Sequence, residues 1–187
     1  MIESSYLTNH FLIAMPSLAD PNFFHTVTYI CEHNSAGALG IVVNRPLTIN
    51  LGDLYKHLQI EPDQPQTALQ PVYLGGPVHR ERVFVIHEPD WQGELTVRVA
   101  DRISVTSSRD VLDAIAGGAF TGHSLIALGY AGWGEGQLEE EMAANAWLSG
   151  EADARILFET PHEKRWEAAA ARLGVDLNLL SGESGHA

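Results

Sequence analysis

Basic residues are scarce in this chain. It sets 11 Lys and Arg against 24 Asp and Glu, a net charge of −13 over 187 residues. Nucleic-acid affinity rests on clustered cations that neutralise phosphates and release counterions. Only the pairs Arg80/Arg82 and Lys164/Arg165 come near to clustering, so direct DNA or RNA binding is not expected. Cysteine is scarcer still. Cys31 stands alone, which excludes an intramolecular disulfide and suits a reducing compartment. Long apolar runs are missing too: none reaches the roughly 18 to 20 residues of a membrane helix. The first twenty residues put Glu3, and no Lys or Arg, ahead of a short apolar segment, the wrong order for a secretory signal. A cytoplasmic protein without a membrane span is the expectation. The chain also lacks G-x-G-x-x-G, G-x-x-x-x-G-K-[ST], G-x-S-x-G, H-E-x-x-H and C-x-x-C spacings, and it shows no helix-turn-helix. Its nine histidines are scattered singly, so no metal and no cofactor is implied.

What is present is enough apolar residue, 45% of the chain, for a sizeable core. Without a Pro/Gly/Ser-rich break, residues 1–180 read as one domain, followed by a disordered tail, SGESGHA, at 181–187. FLIAMPS (Phe11 to Ser17) reads as a short buried strand. TVTYICEH (Thr26 to His33) and ALGIVVN (Ala38 to Asn44) are β-branched runs about a turn and predict a hairpin, with Pro46 ending its second strand. Asn50 is placed to cap a helix, LGDLYKHL. PVYLGG, RVFVIHE, LTVRVA and ISVTSS read as consecutive strands. SRDVLDAIAGG reads as a helix with Ser108 as cap and Gly117-Gly118 as stop. HSLIALGYAGW reads as a strand, QLEEEMAANAWLSG as a helix to Gly150, ARILFET as a strand, and PHEKRWEAAAARLG as a helix opening at Pro161. About seven strands and four helices without β-α alternation point to an α+β fold with mostly antiparallel pairing.

GYAGWGEGQLEEE (Gly129 to Glu141) is the richest candidate site. A glycine turn feeding a helix N-terminus can bind phosphate, but Glu139, Glu140 and Glu141 in the first helical turn would repel a second anion. A backbone corner packed on Trp133 is the leading reading. A pocket lined by Tyr130, Trp133 and Gln137 for an uncharged or cationic ligand is the other. In TYICEH, strand alternation puts Tyr29, Cys31 and His33 on one face. Cys31 and His33 could make an activated thiolate pair, although a buried structural cysteine is the commoner outcome. Arg45, on the Asn44–Pro46 turn, could clamp an anion or pair with one of the many acids. Gly75-Gly76-Pro77 is a turn first and a ligand-approach loop second.

FLIAMPS, YICEHN, GALGIVVNRP, YLGGPV, VFVIHE and GYAGWGEGQLEEE, in this order, resemble the YqgE/AlgH family over roughly Tyr6 to Phe158. Val83 departs from the family pattern, which carries a glycine there. The resemblance implies a small cytosolic bacterial protein whose bifurcated, mostly antiparallel sheet curls into a pseudo-barrel with about four flanking helices. It also implies the family's label of transcriptional regulator connected with alginate production, without established catalytic residues. The motif positions are Cys31, His33, Asn44, Arg45, Gly75, Gly76, His87, Gly132, Trp133, Gly134 and Gln137, expected to converge on one pocket at strand ends. Three functions follow: a regulator acting through a protein partner or small ligand rather than on DNA, a small-molecule binder or enzyme using the Arg45/Trp133 region, or an interaction module such as a homodimer paired through a strand edge.

Overall fold

The hairpin expected from the two β-branched runs is formed by β2 (Val27–Asn34) and β3 (Gly37–Val42), paired antiparallel. The computed structural model describes residues 6–182, and β1 (His10–Ala14) lies against the other edge of β2. The tail expected to be disordered falls outside the described residues from 183 onward; Ser181 and Gly182 end a short helix, α6 (Leu177–Gly182). The described sheet continues through β4 (Pro46–Asn50), β5 (Pro71–Leu74), β6 (Val78–His87), β7 (Thr96–Ala100), β8 (Ile103–Thr106), β9 (Ser124–Trp133) and β10 (Trp147–Glu151). Its main path runs β10-β1-β2-β3-β9-β6-β8-β7, all antiparallel, with β5 pairing parallel to β9 and β4 pairing β5.

The fork in the sheet lies on β9. Its first half pairs with β5, through Ile126, Ala127 and Leu128. Its second half pairs with β3, through Ala131, Gly132 and Trp133. At the changeover Gly129 takes φ +79°, and a Cβ there would stand 2.5 Å from the carbonyl oxygen of Gly76. Gly76 itself, at φ +158°, would drive a Cβ into the backbone of Tyr130. Only residues without side chains, on β9 and in the β5–β6 turn alike, allow this approach. A Cβ on Gly75 would likewise stand 2.3 Å from the Gly129 carbonyl oxygen, so the sheet divides around Gly75, Gly76 and Gly129, and the α+β half-barrel follows from the curl of its two arms.

Several elements differ from the sequence expectation. The helix beginning at Gln137 is α3 (Gln137–Ala143) and stops well before Gly150. Asn145 adopts φ +61°, which Asn tolerates, and Trp147–Glu151 then pairs with the otherwise open edge of β1. Tertiary pairing overrides the helix propensity of the run. Ala154–Phe158 is a helix, α4, capped by Asp153, whose carboxylate accepts from Arg155 N at 2.8 Å. A short apolar run carries no periodicity to distinguish the two states. Pro46 opens β4 rather than ending the hairpin strand; a first position is where a strand accommodates proline. Arg109, whose side chain makes no capping bond, is the cap of α2 (Asp110–Gly117), while the Ser108 hydroxyl donates to Asp110 at 2.6 Å. The expected helix from Pro161 divides into a 3-10 turn, His162–Lys164, and α5 (Arg165–Ala171). At α1 (Leu51–Leu58) the expectation holds in detail. Asn50 and Asp53 form a reciprocal capping box, with bonds of 3.0 and 2.9 Å.

Three apolar clusters fill the structure. One lies inside the curl, built on Phe11, Tyr29, Ile41, Phe84, Ile86 and Leu125 and closed by α4 and α5. A second packs α1 and α2 on β5, β6 and β9. The third joins Leu12, Ile30, Trp133, Leu138 and Trp147 beneath α3. Buried Arg165 fastens α5 to the first cluster. It donates to the carbonyls of Val43, Ile156 and Thr160, and its guanidinium lies 5.2 Å from the Tyr73 ring centre.

Candidate functional site

The Cys31/His33 pair does not form. The register of β2 on β3 shifts between Ile30 and Glu32, so Cys31 is an extra residue and the simple alternation of faces is broken. Cys31 turns toward the core inside the curl, and burial, reinforced by Glu32, raises its thiol pKa well above the ordinary range. This is the reverse of an activated nucleophile. His33 points to the other side. Its Nδ1 accepts from Leu7 N at 2.9 Å, which leaves the proton on Nε2 when the ring is neutral. Nε2 stands 3.2 Å from Glu139 Oε2, off the line of a hydrogen bond. The Tyr6 ring packs edge-on at 4.9 Å. His33 pins the chain ahead of β1 to the sheet.

The glycine-rich turn at the end of β9 feeds a polar knot. Trp133 Nε1 and Trp147 Nε1 each donate to Glu141 Oε1 at 2.9 Å, and Gln137 Nε2 donates to Glu141 Oε2 at 3.0 Å. Gln137 Oε1 accepts from Gly134 N at 3.0 Å. One amide of the kind that binds phosphate is therefore already engaged. Glu141 also lies beyond the first turn of α3, so its charge serves the indoles, while Glu139 and Glu140 flank the helix start. Phe23 completes the packing, 5.3 Å from Trp147 and 6.1 Å from Trp133 between ring centres. Nothing in the sequence pairs Glu141 with Trp147, because their meeting depends on β10 returning to β1.

Asn44 and Arg45 hold the loop before β2. Asn44 accepts from Val27 N at 2.9 Å and donates to the His25 carbonyl at 3.0 Å. Arg45 donates to the carbonyls of Pro21 at 2.7 Å and Phe24 at 3.0 Å. Its fork grips backbone rather than a free anion site. Arg45 and Trp133 thus both bear on the Pro21–His25 loop and share no cavity among those described. Gly75 and Gly76 lie at the fork. His87 sits at the opposite end of β9 from Trp133, next to Ser124. It is fully buried, with Nε2 2.7 Å from Thr106 Oγ1 and Nδ1 2.7 Å from the Glu88 carbonyl. Burial lowers its pKa, opposed by the Glu88 carbonyl and Asp90. The eleven positions therefore divide among core-facing Cys31, the tether at His33, the loop anchor of Asn44 and Arg45, the fork at Gly75 and Gly76, the knot around Gly132, Trp133, Gly134 and Gln137, and buried His87. Only Gly134, Trp133 and Gln137 are joined to one another, through Glu141. Among the described residues no three His, Cys, Asp or Glu side chains group to hold a metal ion.

The concave face carries a different site. A cleft of about 360 Å³ crosses from the β2 bulge to the far edge of the sheet. Cys31 and Glu32 stand at one end, Leu39 of β3 and Phe84 of β6 form its floor, and Val105 and Ser107 lead to Val97 and Val99 of β7. Arg82 lies at the rim, its guanidinium 5.2 Å from the Phe84 ring centre. Leu95, just ahead of β7, and Val97 on it are 50% and 63% exposed, unusual for neighbouring apolar side chains that line one cleft. Of the motif positions only Cys31 belongs to this cleft. An adjoining open groove takes in Gly132 and Trp133 beside Tyr130 and Asn34. The alternation of Leu95, Val97 and Val99 was the signal for the cleft in the sequence. It reads equally as a strand packed on the core.

Fold and site together define an acidic α+β half-barrel with an apolar cleft on its concave face. The chain belongs to the AlgH-like family, which it matches over residues 11–178. It is 56% identical to a UPF0301 protein of Nitrosococcus oceani over 97% of both chains. It is 54% identical to a UPF0301 protein of Thioalkalivibrio sulfidiphilus over the whole of both. The solution structure of the AlgH protein from Pseudomonas aeruginosa matches with a TM-score of 0.80 at 48% identity, covering both chains completely. A crystal structure from Corynebacterium diphtheriae, at 19% identity and TM-score 0.71 over 97% and 94% of the two chains, shares the fold. No described helix is long and apolar enough to cross a membrane.

Proposed function

We infer that the protein works by non-covalent binding, with the concave cleft taking an apolar small ligand or the apolar side chains of a protein partner. In this reading the regulatory role linked to alginate production passes through that occupant, in the cytoplasm, and not through direct contact with DNA. The observation that carries it is the cleft itself: a mostly apolar, partly open cavity of about 360 Å³ beside two exposed aliphatic side chains. Sites of this shape and lining are where ligands bind. The net charge of −13 supports the exclusion of DNA. The raised thiol pKa of Cys31 and the engaged guanidinium of Arg45 favour binding over chemistry at these two residues.

Nile red, neutral and apolar, is a suitable probe. It is expected to bind with a blue-shifted emission, and Val99→Phe, which fills the cleft, is expected to weaken it at least tenfold with the melting temperature unchanged. Equal binding to both forms would overturn the reading. So would specific DNA binding that weakens steeply with salt, measured by fluorescence anisotropy.

A further inference from the structure

The cleft is walled on one side by a strand whose outer edge is open. Among the described residues β7 is the last strand of the sheet path and pairs only with β8. Ser107 N donates to the Leu95 carbonyl at 3.0 Å. In an antiparallel ladder bonded and non-bonded pairs alternate, so the main-chain groups of Thr96 and Arg98 face away from β8. The register shift between Arg98 and Ala100 confines the regular edge to this short stretch. The same alternation puts Leu95, Val97 and Val99 on one face, and Val97 and Val99 line the cleft together with Leu95. Natural edge strands are usually protected by proline, lysine or an inward-pointing charge. β7 has no proline and no lysine. Its one charge, Arg98, folds back along its own chain to the carbonyls of Ala100 and Asp101. Free main-chain groups, unprotected, stand beside an apolar trough.

Resting on the cleft reading above, we propose that β7 is a docking edge for a short extended segment of a partner polypeptide, added as a further strand, with aliphatic side chains at alternate positions seated in the cleft and basic residues at its flanks. Strand addition of this kind takes affinity from main-chain bonds and specificity from pockets for every second side chain. Local charge is balanced, with Glu94, Asp101 and Glu32 set against Arg82 at the rim and Arg98 and Arg102 on β7 and the turn after it, so the partner is selected by the field of the whole chain, whose net charge is −13. A second copy fits poorly, since antiparallel self-pairing would bring Glu94 of one chain toward Asp101 of the other and join two strongly acidic bodies.

The test is a selection from a random heptapeptide library with the whole protein as bait, followed by titration calorimetry of the selected peptides. Selected sequences are expected to alternate Val, Ile or Leu and to end in Lys or Arg. Val97→Lys and Leu95→Lys, both at exposed positions, are each expected to weaken binding at least tenfold. Leu69→Lys, at an exposed leucine away from the cleft, is expected to leave it unchanged. N-methylation of alternate peptide amides is expected to weaken binding tenfold or more, and methylation of the intervening ones to have little effect. No selected peptide, acidic winners, or winners indifferent to both lysine variants would overturn the proposal. If the lysine variants matter but no N-methyl group does, strand addition falls while the cleft reading stands. If Nile red binding also ignores Val99→Phe, both fall. Sedimentation showing a wild-type dimer that Val97→Lys dissociates would make a second copy the occupant and overturn the proposal.

Discussion

Trp133 and Trp147 share one acceptor: both indole N–H groups donate to Oε1 of Glu141 at 2.9 Å. The two residues lie on β9 and β10, strands that do not pair with each other. A single carboxylate from α3 therefore ties the turn after β9 to the strand that completes the sheet. Glu141→Ala would leave two indole donors without partners, Trp133 at 6% and Trp147 at 4% exposure. Each unsatisfied buried donor costs about 1–3 kcal/mol. Chemical denaturation is expected to show a loss of about 2–6 kcal/mol, and Glu141→Gln a smaller one, since an amide oxygen still accepts but without charge.

Arg165 is replaceable by neither lysine nor alanine without cost. Its planar fork meets the carbonyls of Val43, Ile156 and Thr160 together, a geometry that a single ammonium group does not reproduce. Arg165→Lys is expected to destabilise by about 1–2 kcal/mol and Arg165→Ala by about 3 kcal/mol. Thermal unfolding checks both, with α5 expected to lose amide-exchange protection first.

Acid stability depends on His87. Its folded pKa is lowered by burial from an ordinary value of about 6.5. Below that value the unfolded chain takes up a proton that the folded chain refuses, so stability falls with decreasing pH until the folded pKa is passed. One linked proton gives a slope of at most about 1.4 kcal/mol per pH unit. His25, stacked between Phe24 and Trp166, is shifted in the same direction by burial. Glu88 acts in a lower window. Its pKa is held down first by the His123 backbone N–H, so the stability it contributes is present above the ordinary glutamate value of about 4.3 and lost as pH falls through its folded pKa. Urea unfolding of wild type between pH 7.5 and 5 is expected to show the histidine-linked fall, and His87→Gln to flatten part of it. An unchanged slope in the variant would refute the assignment.

Two glycines with similar backbone angles are expected to respond differently. Gly129→Ala combines a left-handed backbone, costing about 1–2 kcal/mol, with a Cβ 2.5 Å from the Gly76 carbonyl oxygen. It is expected to prevent folding or lower the melting temperature sharply. Gly136→Ala has φ +74° and nothing within 4 Å of the new Cβ, so the backbone term of about 1–2 kcal/mol is all that should be lost.

Local chemistry determined much of this protein. Asn50 and Asp53 specify their capping box within one turn. The β2–β3 hairpin follows from two β-branched runs around a turn. The glycines of the β5–β6 turn and of the β9 run announced a corner, and they make the fork. These signals act over a few residues, so the sequence contains them in full. The scarcity of Lys and Arg likewise speaks against a nucleic-acid partner without reference to any fold.

Only the tertiary structure decided the rest, because the deciding partners lie far apart in the chain. Trp147–Glu151 is a strand because β1 offers an open edge, against the helix propensity of the residues before it. Cys31 and His33 face opposite ways because β3 forces an extra residue into β2. Arg45 lost its candidacy for an anion site to two carbonyls of a loop that the sequence could not place. The cleft joins β2, β3, β6, β7 and β8, and none of its walls is informative alone: Leu95, Val97 and Val99 read as core until the sheet order leaves β7 at the edge. Alternation in a sequence states which residues share a face, and only the packing of the whole sheet states whether that face is covered.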